Sequence, residues 1–334
     1  MSWYWLIVVA AILVVLYPFQ GWITWLVHQR RRERRFAVGP SPRRSGYGHA
    51  GGTPPRRPTP SEWRDDRVSI GWLGHATLLM NLHGKNVLTD PVFGASVGLH
   101  LPLGISFGPR RLVRCALNPE ELPRLDLIVQ SHAHMDHLDT RSWRRLGARL
   151  RPVAPGKALP HSPAVVMAAH NARYIRRYGF EPITELDWGE SVEVAGVKVT
   201  AVEVKHWGER LPWSRAHGYN AYLLEREGAA ILFGGDTAYT ESFRRACAGK
   251  KIDVAVLPIG GYQPYIRAHA SPEQAWQMFC EIGAEYLIPI HHQTFILSYE
   301  PPDEPLQRLL AVAGKEAHRI VIREVGETFV LPGN

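Results

Sequence analysis

The sequence predicts an α+β protein in which two mixed β-sheets pack together and helices cover their outer faces. Short runs of apolar and β-branched residues recur along residues 68–334, and turn residues bound most of these runs. Helical patterns separate the runs into two groups, and the chain shows no internal repeat period. Two groups of strands with intervening helices are typical of two sheets that share a core and carry helices outside.

The predicted elements are short, and two pairs of strands are joined by typical hairpin turns at Ala195-Gly196 and Glu227-Gly228. The predicted strands cover residues 68–73, 77–82, 86–89, 125–131, 191–194, 198–204, 219–225, 229–233, 254–259, 286–290, 320–323 and 328–331. The predicted helices cover residues 163–178, 240–248, 272–283 and 304–313. The third helix has the clearest start, because Ser271, Pro272 and Gln274 provide an N-cap, a first-turn proline and a capping box.

The first 29 residues form a separate apolar segment that we predict to be a transmembrane anchor. No side chain from Ser2 to Val27 is charged, and a helix of this length spans a hydrocarbon core of about 30 Å. A cleaved signal peptide is the alternative, but its positive leading region and small-residue cleavage site are not present. Positive charge begins at Arg30, which predicts a single-pass membrane protein whose catalytic domain is cytoplasmic.

Residues 30–66 form a basic linker rich in proline and glycine, a composition that predicts an extended and mobile segment. Residues 1–67 contain eleven arginines and four acidic residues, a net charge of +7, whereas the whole chain carries +8. The domain that follows, predicted at residues 67–334, is therefore nearly neutral, which argues against a nucleic-acid-binding face. The arginines instead suit anionic lipid beside a membrane.

The cysteines indicate a reducing compartment. Cys115, Cys247 and Cys280 are isolated, and their spacing predicts neither a disulfide framework nor a cysteine-type zinc site. This agrees with the cytoplasmic orientation inferred from the arginines.

Residues 132–137 read His-Ala-His-Met-Asp-His, and this run is the strongest functional signal in the chain. It directly follows a predicted strand. Two histidines two positions apart in extended backbone point the same way and can bind one ion, while Asp136 and His137 can turn toward a second. Nitrogen and oxygen ligands without thiolate suit Zn²⁺ first, with Fe or Mn as alternatives. A histidine-rich surface loop is the alternative interpretation.

Three further candidate ligands, His206, Asp236 and His291, also follow predicted strands, at the kind of edge where α/β proteins gather their sites. If these edges lie on one side of the molecule, seven ligands converge on two ions about 3.5–4 Å apart. Three histidines would then bind one ion, two histidines and one aspartate the other, and Asp236 would bridge them. The predicted ligands are His132, His134, Asp136, His137, His206, Asp236 and His291.

The order of these motifs resembles the metallo-β-lactamase superfamily, in which His-x-His-x-Asp-His precedes a third His, a Gly-Asp and a final His. Over about residues 63–334 the chain resembles more specifically the N-acylphosphatidylethanolamine-hydrolysing phospholipase D group. This resemblance rests on residues 72–77, 88–93, 108–111, 206–207, 235–239, 258–262 and 291–295. It implies a metallo-β-lactamase-like four-layer αβ/βα sandwich, two zinc ions and a phosphodiester substrate.

The resemblance also implies roles for residues that are not metal ligands. Asp90 corresponds to an acid that orients ligands or takes part in catalysis, His269 to a histidine presented just before the capped helix, and Arg210 to an arginine that contacts substrate. We predict that Asp90 orients a ligand histidine and that His269 donates a proton to the departing alkoxide. The alternatives are helix capping for His269 and a solvated loop charge for Arg210. Tyr262 is predicted to contact substrate, with a core position as its alternative.

Three positions differ from the mammalian enzyme of this group. Met135 replaces a tyrosine of the substrate site, and Ala268 replaces a glutamine. His292 replaces an aromatic residue beside the last ligand, so His291 and His292 are alternatives for that ligand.

The predicted function is that of a membrane-anchored dinuclear zinc hydrolase, a phospholipase D-type phosphodiesterase that acts on (N-acyl)phosphatidylethanolamine-like phospholipids. Its predicted partners are a phospholipid substrate and the membrane, which it contacts through the N-terminal helix and the basic segment. A sugar-phosphate lactonase or another hydrolase with the same fold is the nearest alternative, because fold alone does not determine the substrate. A non-catalytic membrane scaffold is a further alternative, against which the full ligand set argues.

Overall fold

The computed structural model describes residues 52–100, 106–150, 161–211, 214 and 217–333. The predicted transmembrane anchor at residues 1–29 and most of the predicted linker lie outside these residues. Within them, no helix has both the length and the apolar character needed to cross a bilayer. Residues 52–66, which composition assigns to the mobile linker, lie against the domain: the Gly52 amide donates to the Leu112 carbonyl, and Pro58 is buried.

Most strands of the described residues belong to two β-sheets. The strands are β1 (Val68–Gly74), β2 (Thr77–Leu82), β3 (Lys85–Thr89), β4 (Leu99–His100), β5 (Ser106–Phe107), β6 (Leu127–Gln130), β7 (Ala164–Ala168), β8 (Ile183–Leu186), β9 (Ser191–Val194), β10 (Val197–Val202), β11 (Ala221–Arg226), β12 (Ala229–Phe233), β13 (Val254–Pro258), β14 (Tyr286–Ile290) and β15 (Thr328–Val330). The first sheet has the order β15-β1-β2-β3-β6-β7-β8, and the second has the order β14-β13-β12-β11-β10-β9. Strands β4 and β5 form a separate ribbon.

Both sheets are mixed. In the first sheet, β15, β1, β2 and β3 pair antiparallel, whereas β3, β6, β7 and β8 pair parallel. In the second sheet, β9 to β12 pair antiparallel, and β12, β13 and β14 pair parallel. The α+β class and the mixed sheets predicted from the sequence are therefore confirmed.

The helices of the described residues lie outside the sheets. They are α1 (Thr140–Ala148), α2 (Ser242–Cys247), α3 (Tyr262–Tyr265), α4 (Pro272–Ile282) and α5 (Glu304–Ala313), with 3₁₀ turns at Pro60–Glu62, Pro119–Glu121, Ala172–Tyr174, Arg176–Tyr178 and Gly314–Arg319. Helix α4 begins as predicted, because the Ser271 hydroxyl accepts a hydrogen bond from the Gln274 amide at 3.3 Å. It ends at Gly283, whose φ of 72° is the left-handed conformation typical of a helix terminus.

Alternating side chains of the second sheet pack into two hydrophobic cores, one on each face of the sheet. Tyr222, Ile231 and Val256 face the first sheet and pack in the core between the sheets. Their neighbours Leu223 and Leu232 face the other way and pack in a second core, which helices α2, α4 and α5 cover. Since adjacent strand residues point to opposite faces, a strand buried on both faces must be apolar throughout. Helix α1 packs against the first sheet, where the Trp143 indole N–H donates to the Gln130 side chain of β6 at 3.2 Å.

The predicted helix at residues 163–178 is wrong. This segment forms β7 (Ala164–Ala168), a buried parallel strand between β6 and β8, followed by two 3₁₀ turns. A short apolar run cannot be distinguished from a buried helix by its periodicity alone. Residues 320–323 form no strand either, since Ile320 makes only an isolated bridge to Leu287. The sequence analysis also missed β8 and α1, although Asp139 caps α1 through the amides of Arg141 and Ser142.

Candidate metal centre

The loops that follow several strands meet at one edge of the two sheets. Residues 131–139 connect β6 to α1, and the other three loops begin after β10, β12 and β14 of the second sheet. The structure brings the seven predicted ligands together at this edge, in two groups that share Asp236. They are His132, His134, Asp136, His137, His206, Asp236 and His291.

One group, the three-histidine group, consists of His132, His134 and His206 together with Asp236, which it shares with the other group. His134 Nδ1 lies 3.0 Å from His132 Nε2 and 3.1 Å from His206 Nε2. The far side of each outer ring is held in place: His206 Nδ1–H donates to the Ala268 carbonyl at 3.0 Å, and His132 Nδ1 lies 2.9 Å from the Ser131 hydroxyl. A ring that donates through Nδ1 presents a bare Nε2, which is the state that binds a metal ion.

The other group, the mixed group, consists of Asp136, His137, Asp236 and His291. His137 Nε2 and His291 Nε2 each lie 3.1 Å from Asp236 Oδ2. Asp136 Oδ2 lies 3.5 Å from His291 Nε2 and 3.8 Å from His137 Nε2. Two carboxylates and two imidazoles therefore surround one point.

Asp236 lies between the groups. Besides its contacts in the mixed group, its Oδ2 lies 3.9 Å from His132 Nε2 and 3.9 Å from His206 Nε2. The two glycines before Asp236 permit this approach, because Gly235 has a φ of 56° and a Cβ there would lie 2.8 Å from the Ser131 side chain. Asp236 therefore lies within 3.9 Å of histidine nitrogens in both groups.

Asp90 orients His137 of the mixed group by a hydrogen bond on the side of the ring that faces away from Asp236. Its carboxylate accepts a hydrogen bond from His137 Nδ1–H at 2.7 Å, and others from the Ser131 amide at 2.7 Å and the Gln130 side chain at 2.9 Å. His291 is held similarly, since its Nδ1–H donates to the Gly260 carbonyl at 3.2 Å. These bonds turn Nε2 of His137 and of His291 toward Asp236.

The donor set fits metal ions. His137 Nε2, His291 Nε2 and Asp236 Oδ1 are buried and have no hydrogen-bond partner among the described residues. A tetrahedral Zn²⁺ site with bonds of about 2.0–2.1 Å places neighbouring nitrogens about 3.3 Å apart, close to the spacing in the three-histidine group. Uncompensated buried polar atoms are costly, and an ion that accepts their lone pairs removes that cost.

The electrostatics differ between the groups. Burial lowers the pKa of His134 to about 4 and that of His206 to about 3, so these rings are neutral at pH 7. His137 and His291 hold the pKa of Asp236 well below its ordinary value, against the effect of burial. Although burial opposes it, the carboxylates of Asp236 and Asp136 raise the pKa of His291 to about 9. The two carboxylates of the mixed group thus favour positive charge beside them, which a bound cation would supply.

The structure places His291 and not His292 at the final ligand position. His292 turns away from the centre, and its ring stacks on Trp72 with ring centroids 4.8 Å apart. Its immediate neighbour His291 points Nε2 at both carboxylates of the mixed group.

A cavity of about 440 Å³ opens onto the two groups. Its walls are mainly apolar and are formed by Val97, Pro109, Met135, Trp207, Leu211, Tyr265 and Leu297, among others. His269 also lines the cavity, and its Nδ1 lies 3.8 Å from Asp236 Oδ2. Burial lowers the pKa of His269 to about 3, so the ring beside the Asp236 carboxylate is neutral. The structure therefore places His269 beside the metal ligands and facing the space that a substrate would occupy.

Tyr262 and Arg210, predicted to contact substrate, are held mainly by the protein itself. The Tyr262 hydroxyl donates to Glu304 at 2.7 Å and accepts from Arg308 at 3.1 Å, away from the cavity, so the prediction for Tyr262 is corrected. It is Tyr265, one turn later, that lines the cavity.

Arg210 lines the cavity, but its Nη1 donates to the carbonyls of Ala133 and Leu138 at 2.5 and 2.7 Å. These carbonyls lie at either side of the ligands His134, Asp136 and His137. Arg210 therefore ties both ends of this loop together, and its predicted contact with substrate stays a prediction.

The sequence analysis assigned no role in the metal centre to His75, which the structure places against Asp136 of the mixed group. Its Nε2–H donates to Asp136 Oδ2 at 3.0 Å. A signal was available, because His75 lies in the first motif of the resemblance, at residues 72–77. However, no spacing rule connects a histidine at a β1–β2 turn with ligands about sixty positions later.

Comparisons with known proteins agree with this geometry. A family model described as a beta-lactamase superfamily domain matches residues 85–292, and the protein belongs to this superfamily, in its metallo-β-lactamase branch. It is a metal-dependent hydrolase and resembles the phospholipases D that hydrolyse N-acylphosphatidylethanolamine.

Three relatives illustrate the range of the family. An uncharacterised protein of Mycobacterium tuberculosis is 31% identical over 80% of this chain and 71% of its own length. The N-acyl-phosphatidylethanolamine-hydrolyzing phospholipase D 1 of Caenorhabditis elegans is 30% identical over 72% of this chain and 68% of its own. A metal-dependent hydrolase of the archaeon Methanopyrus kandleri is 28% identical over 78% of this chain and 99% of its own.

Among solved structures, a metallo hydrolase from the archaeon Ignicoccus hospitalis matches with a TM-score of 0.56 and 18% sequence identity. The match covers 80% of this chain and 99% of that protein. At this level of identity the likeness concerns the fold alone.

Proposed function

We propose that the protein is a dinuclear zinc phosphodiesterase of the phospholipase D type that acts on phospholipids resembling N-acylphosphatidylethanolamine. The observation that carries the proposal is a seven-ligand donor set that faces a mainly apolar cavity. The donor set supplies hydrolytic chemistry, and the cavity suits a substrate with an anionic centre next to apolar chains. The name of the Caenorhabditis elegans relative supports the same substrate class.

Different residues of the site would bind the two metal ions and transfer the proton. The three-histidine group would hold one ion and the mixed group the other, with Asp236 bridging them. Two bound zinc ions lower the pKa of a coordinated water toward about 7 and neutralise charge on a phosphoryl group. His269 faces the cavity with its Nδ1 3.8 Å from Asp236 Oδ2, so this ring is placed to pass a proton from the attacking water to the departing alcohol oxygen.

The amino-terminal segment completes the proposal. An uncharged run of 26 residues, Ser2–Val27, followed by arginines suits a single-pass anchor that leaves the catalytic domain in the cytoplasm. Such an anchor raises the effective concentration of bilayer substrate at the cavity without any new contact. Membrane fractionation of the full chain and of a chain beginning at Gly52 tests this part, because only the full chain should sediment with membranes after a high-salt wash.

The activity itself is tested with the metal-loaded protein and vesicles of defined phospholipids. In water labelled with ¹⁸O, a phospholipase D-type reaction releases the head-group alcohol and incorporates the label into the phosphate of phosphatidic acid. Label in a released fatty acid would instead indicate attack on an acyl ester. Unchanged phospholipids, with turnover of soluble lactones, would favour the lactonase alternative. Fewer than about one ion per chain and no turnover would favour the scaffold.

His269→Gln tests the proton-transfer role. Removing a positioned acid–base group costs about 10²–10⁴ in kcat, so we expect a fall of at least about a hundredfold with two ions still bound. The leaving group provides the discriminating measurement: an activated p-nitrophenyl phosphodiester needs little protonation and should lose much less activity. An equal loss for both substrates would exclude His269 as the proton donor.

A further inference from the structure

His75 is fixed in the metal centre by its backbone. It lies between β1 and β2 with a φ of 58°, a conformation that is uncommon for residues other than glycine. Its amide donates to the Thr294 hydroxyl at 2.8 Å, and its carbonyl accepts from Trp72 Nε1 at 2.9 Å and from the His291 amide at 3.1 Å. The turn that carries His75 is thus tied directly to the loop that carries the final ligand.

The His75 ring contacts one carboxylate. The side chain is 1% exposed and packs against His291, with ring centroids 4.3 Å apart. Its Nε2–H donates to Asp136 Oδ2 at 3.0 Å, and the same oxygen lies 3.5 Å from His291 Nε2 and 3.8 Å from His137 Nε2. His75 therefore holds the Asp136 carboxylate with an oxygen facing the other ligands of the mixed group.

The three-histidine group has a different support. The atoms that orient its rings are the Ser131 hydroxyl and the Ala268 carbonyl, and the contacts of the His75 ring are with Asp136, His137, His291 and Phe295. A substitution of His75 should consequently weaken metal binding in the mixed group and leave metal binding in the three-histidine group unchanged.

We propose that His75 is a positioning residue that holds Asp136 for the ion of the mixed group, so that it sets the occupancy of that group alone. The inference rests on the two-ion part of the proposed function and does not depend on the phospholipid substrate. A hydrogen bond to a metal-binding carboxylate fixes the ligand before the ion arrives, and loss of such a partner typically costs about 10–100-fold in metal affinity.

Two variants separate the hydrogen bond from the shape of the side chain. His75→Gln and His75→Met have unbranched side chains of similar size and the same backbone cost at positive φ, but only glutamine retains a donor. Titration with Co²⁺, followed by visible absorption, and zinc analysis after dialysis give two binding constants and a stoichiometry without any substrate. We expect two ions for the natural protein and for His75→Gln, with affinities within about threefold.

For His75→Met we expect one ion at unchanged affinity and a second that binds about 10–100-fold more weakly. His83 provides the control, because it occupies the β2–β3 turn at a φ of 46°. His83→Met should bind both ions like the natural protein. Equal weakening of both ions, or no weakening, in His75→Met would overturn the inference. A natural protein that binds a single ion would refute the two-ion centre and this inference with it.

Asp136→Asn tests the same contact from its other side and does not require His75→Met to be fully stable. If His75 acts through Asp136, adding His75→Met to Asp136→Asn should change the second binding constant by less than about threefold. A further tenfold loss in the double variant would show that His75 acts by another route.

Discussion

The three-histidine group and the mixed group share Asp236, yet they are built on different principles. The first consists of neutral imidazoles that are oriented by one hydroxyl and one backbone carbonyl. The second contains two carboxylates, and Asp90 and His75 hold its members through charge-assisted hydrogen bonds.

This difference indicates which substitutions should weaken metal binding in each group. An imidazole group depends on ring orientation, whereas a group with buried carboxylates depends on the ion to balance charge. The mixed group should therefore respond more strongly to the loss of supporting residues.

Asp236→Asn should have the largest effect, because Asp236 is the one residue common to both groups. We expect activity to fall by about a thousandfold or more, since a bridging ligand positions both ions, and the metal content to fall below two per chain. Asp253→Asn is a matched control, because Asp253 is also a buried carboxylate of the second sheet but accepts from the Ala230 amide. Full metal content with activity within tenfold of normal would contradict the bridging position.

Asp90→Asn should weaken metal binding more in the mixed group than in the three-histidine group. An amide at this position cannot accept from His137 as a carboxylate does, so the His137 ring is less firmly oriented. We expect the mixed group to bind about 10–100-fold more weakly. The three-histidine group should lose less, because Asp90 reaches the His132 ring indirectly, through the Ser131 hydroxyl. Cobalt titration measures both constants, and equal losses would remove the distinction.

Arg210→Met should affect both groups moderately, because the loop that Arg210 ties together carries ligands of each. Two hydrogen bonds from a charged donor are lost, and the free energy of unfolding should fall by about 2 kcal/mol. Both ions should bind about 3–10-fold more weakly, as ligands on a looser loop are less well positioned. Thermal unfolding and metal titration test this. A raised KM with unchanged metal affinity would instead indicate that Arg210 acts on substrate.

His292→Phe should have the smallest effect, because His292 is not a ligand of the mixed group. Phenylalanine keeps the stacking on Trp72 and removes two ring nitrogens that do not face the carboxylates. We expect both metal affinities and activity to stay within about twofold. The adjacent change His291→Phe should abolish binding of the second ion. A similar loss from both changes would mean that His292 is a ligand.

Local sequence patterns predicted much of the fold. An alternating run before the Ala195-Gly196 turn marked β9, and continuous apolar runs marked β12 and β14, all at their observed bounds. Capping residues around Ser271 and Gly283 marked α4. In these segments local preference and tertiary environment agree. Where they disagree, the prediction failed: residues 164–168 form a strand because they fit between β6 and β8, which periodicity cannot reveal.

In the candidate site too, some features follow from local sequence patterns and others from tertiary packing. The ligand run at residues 132–137 is recognisable because its members are adjacent in the chain, and the other ligands are recognisable because each follows a strand. Their meeting in space depends on how the two sheets pack. The same packing places Tyr262 against α5 and turns Arg210 onto backbone carbonyls, contacts that involve residues tens of positions apart.

The order of residue types along the chain was therefore sufficient to indicate the strands, the ligand chemistry and the superfamily, because each of these depends on neighbours within a few positions. The contacts that orient each group of ligands, the choice of His291 over His292 and the place of His75 followed only from the packed structure. These features depend on distances between loops of different sheets, and the hydrophobic burial that joins the sheets sets those distances.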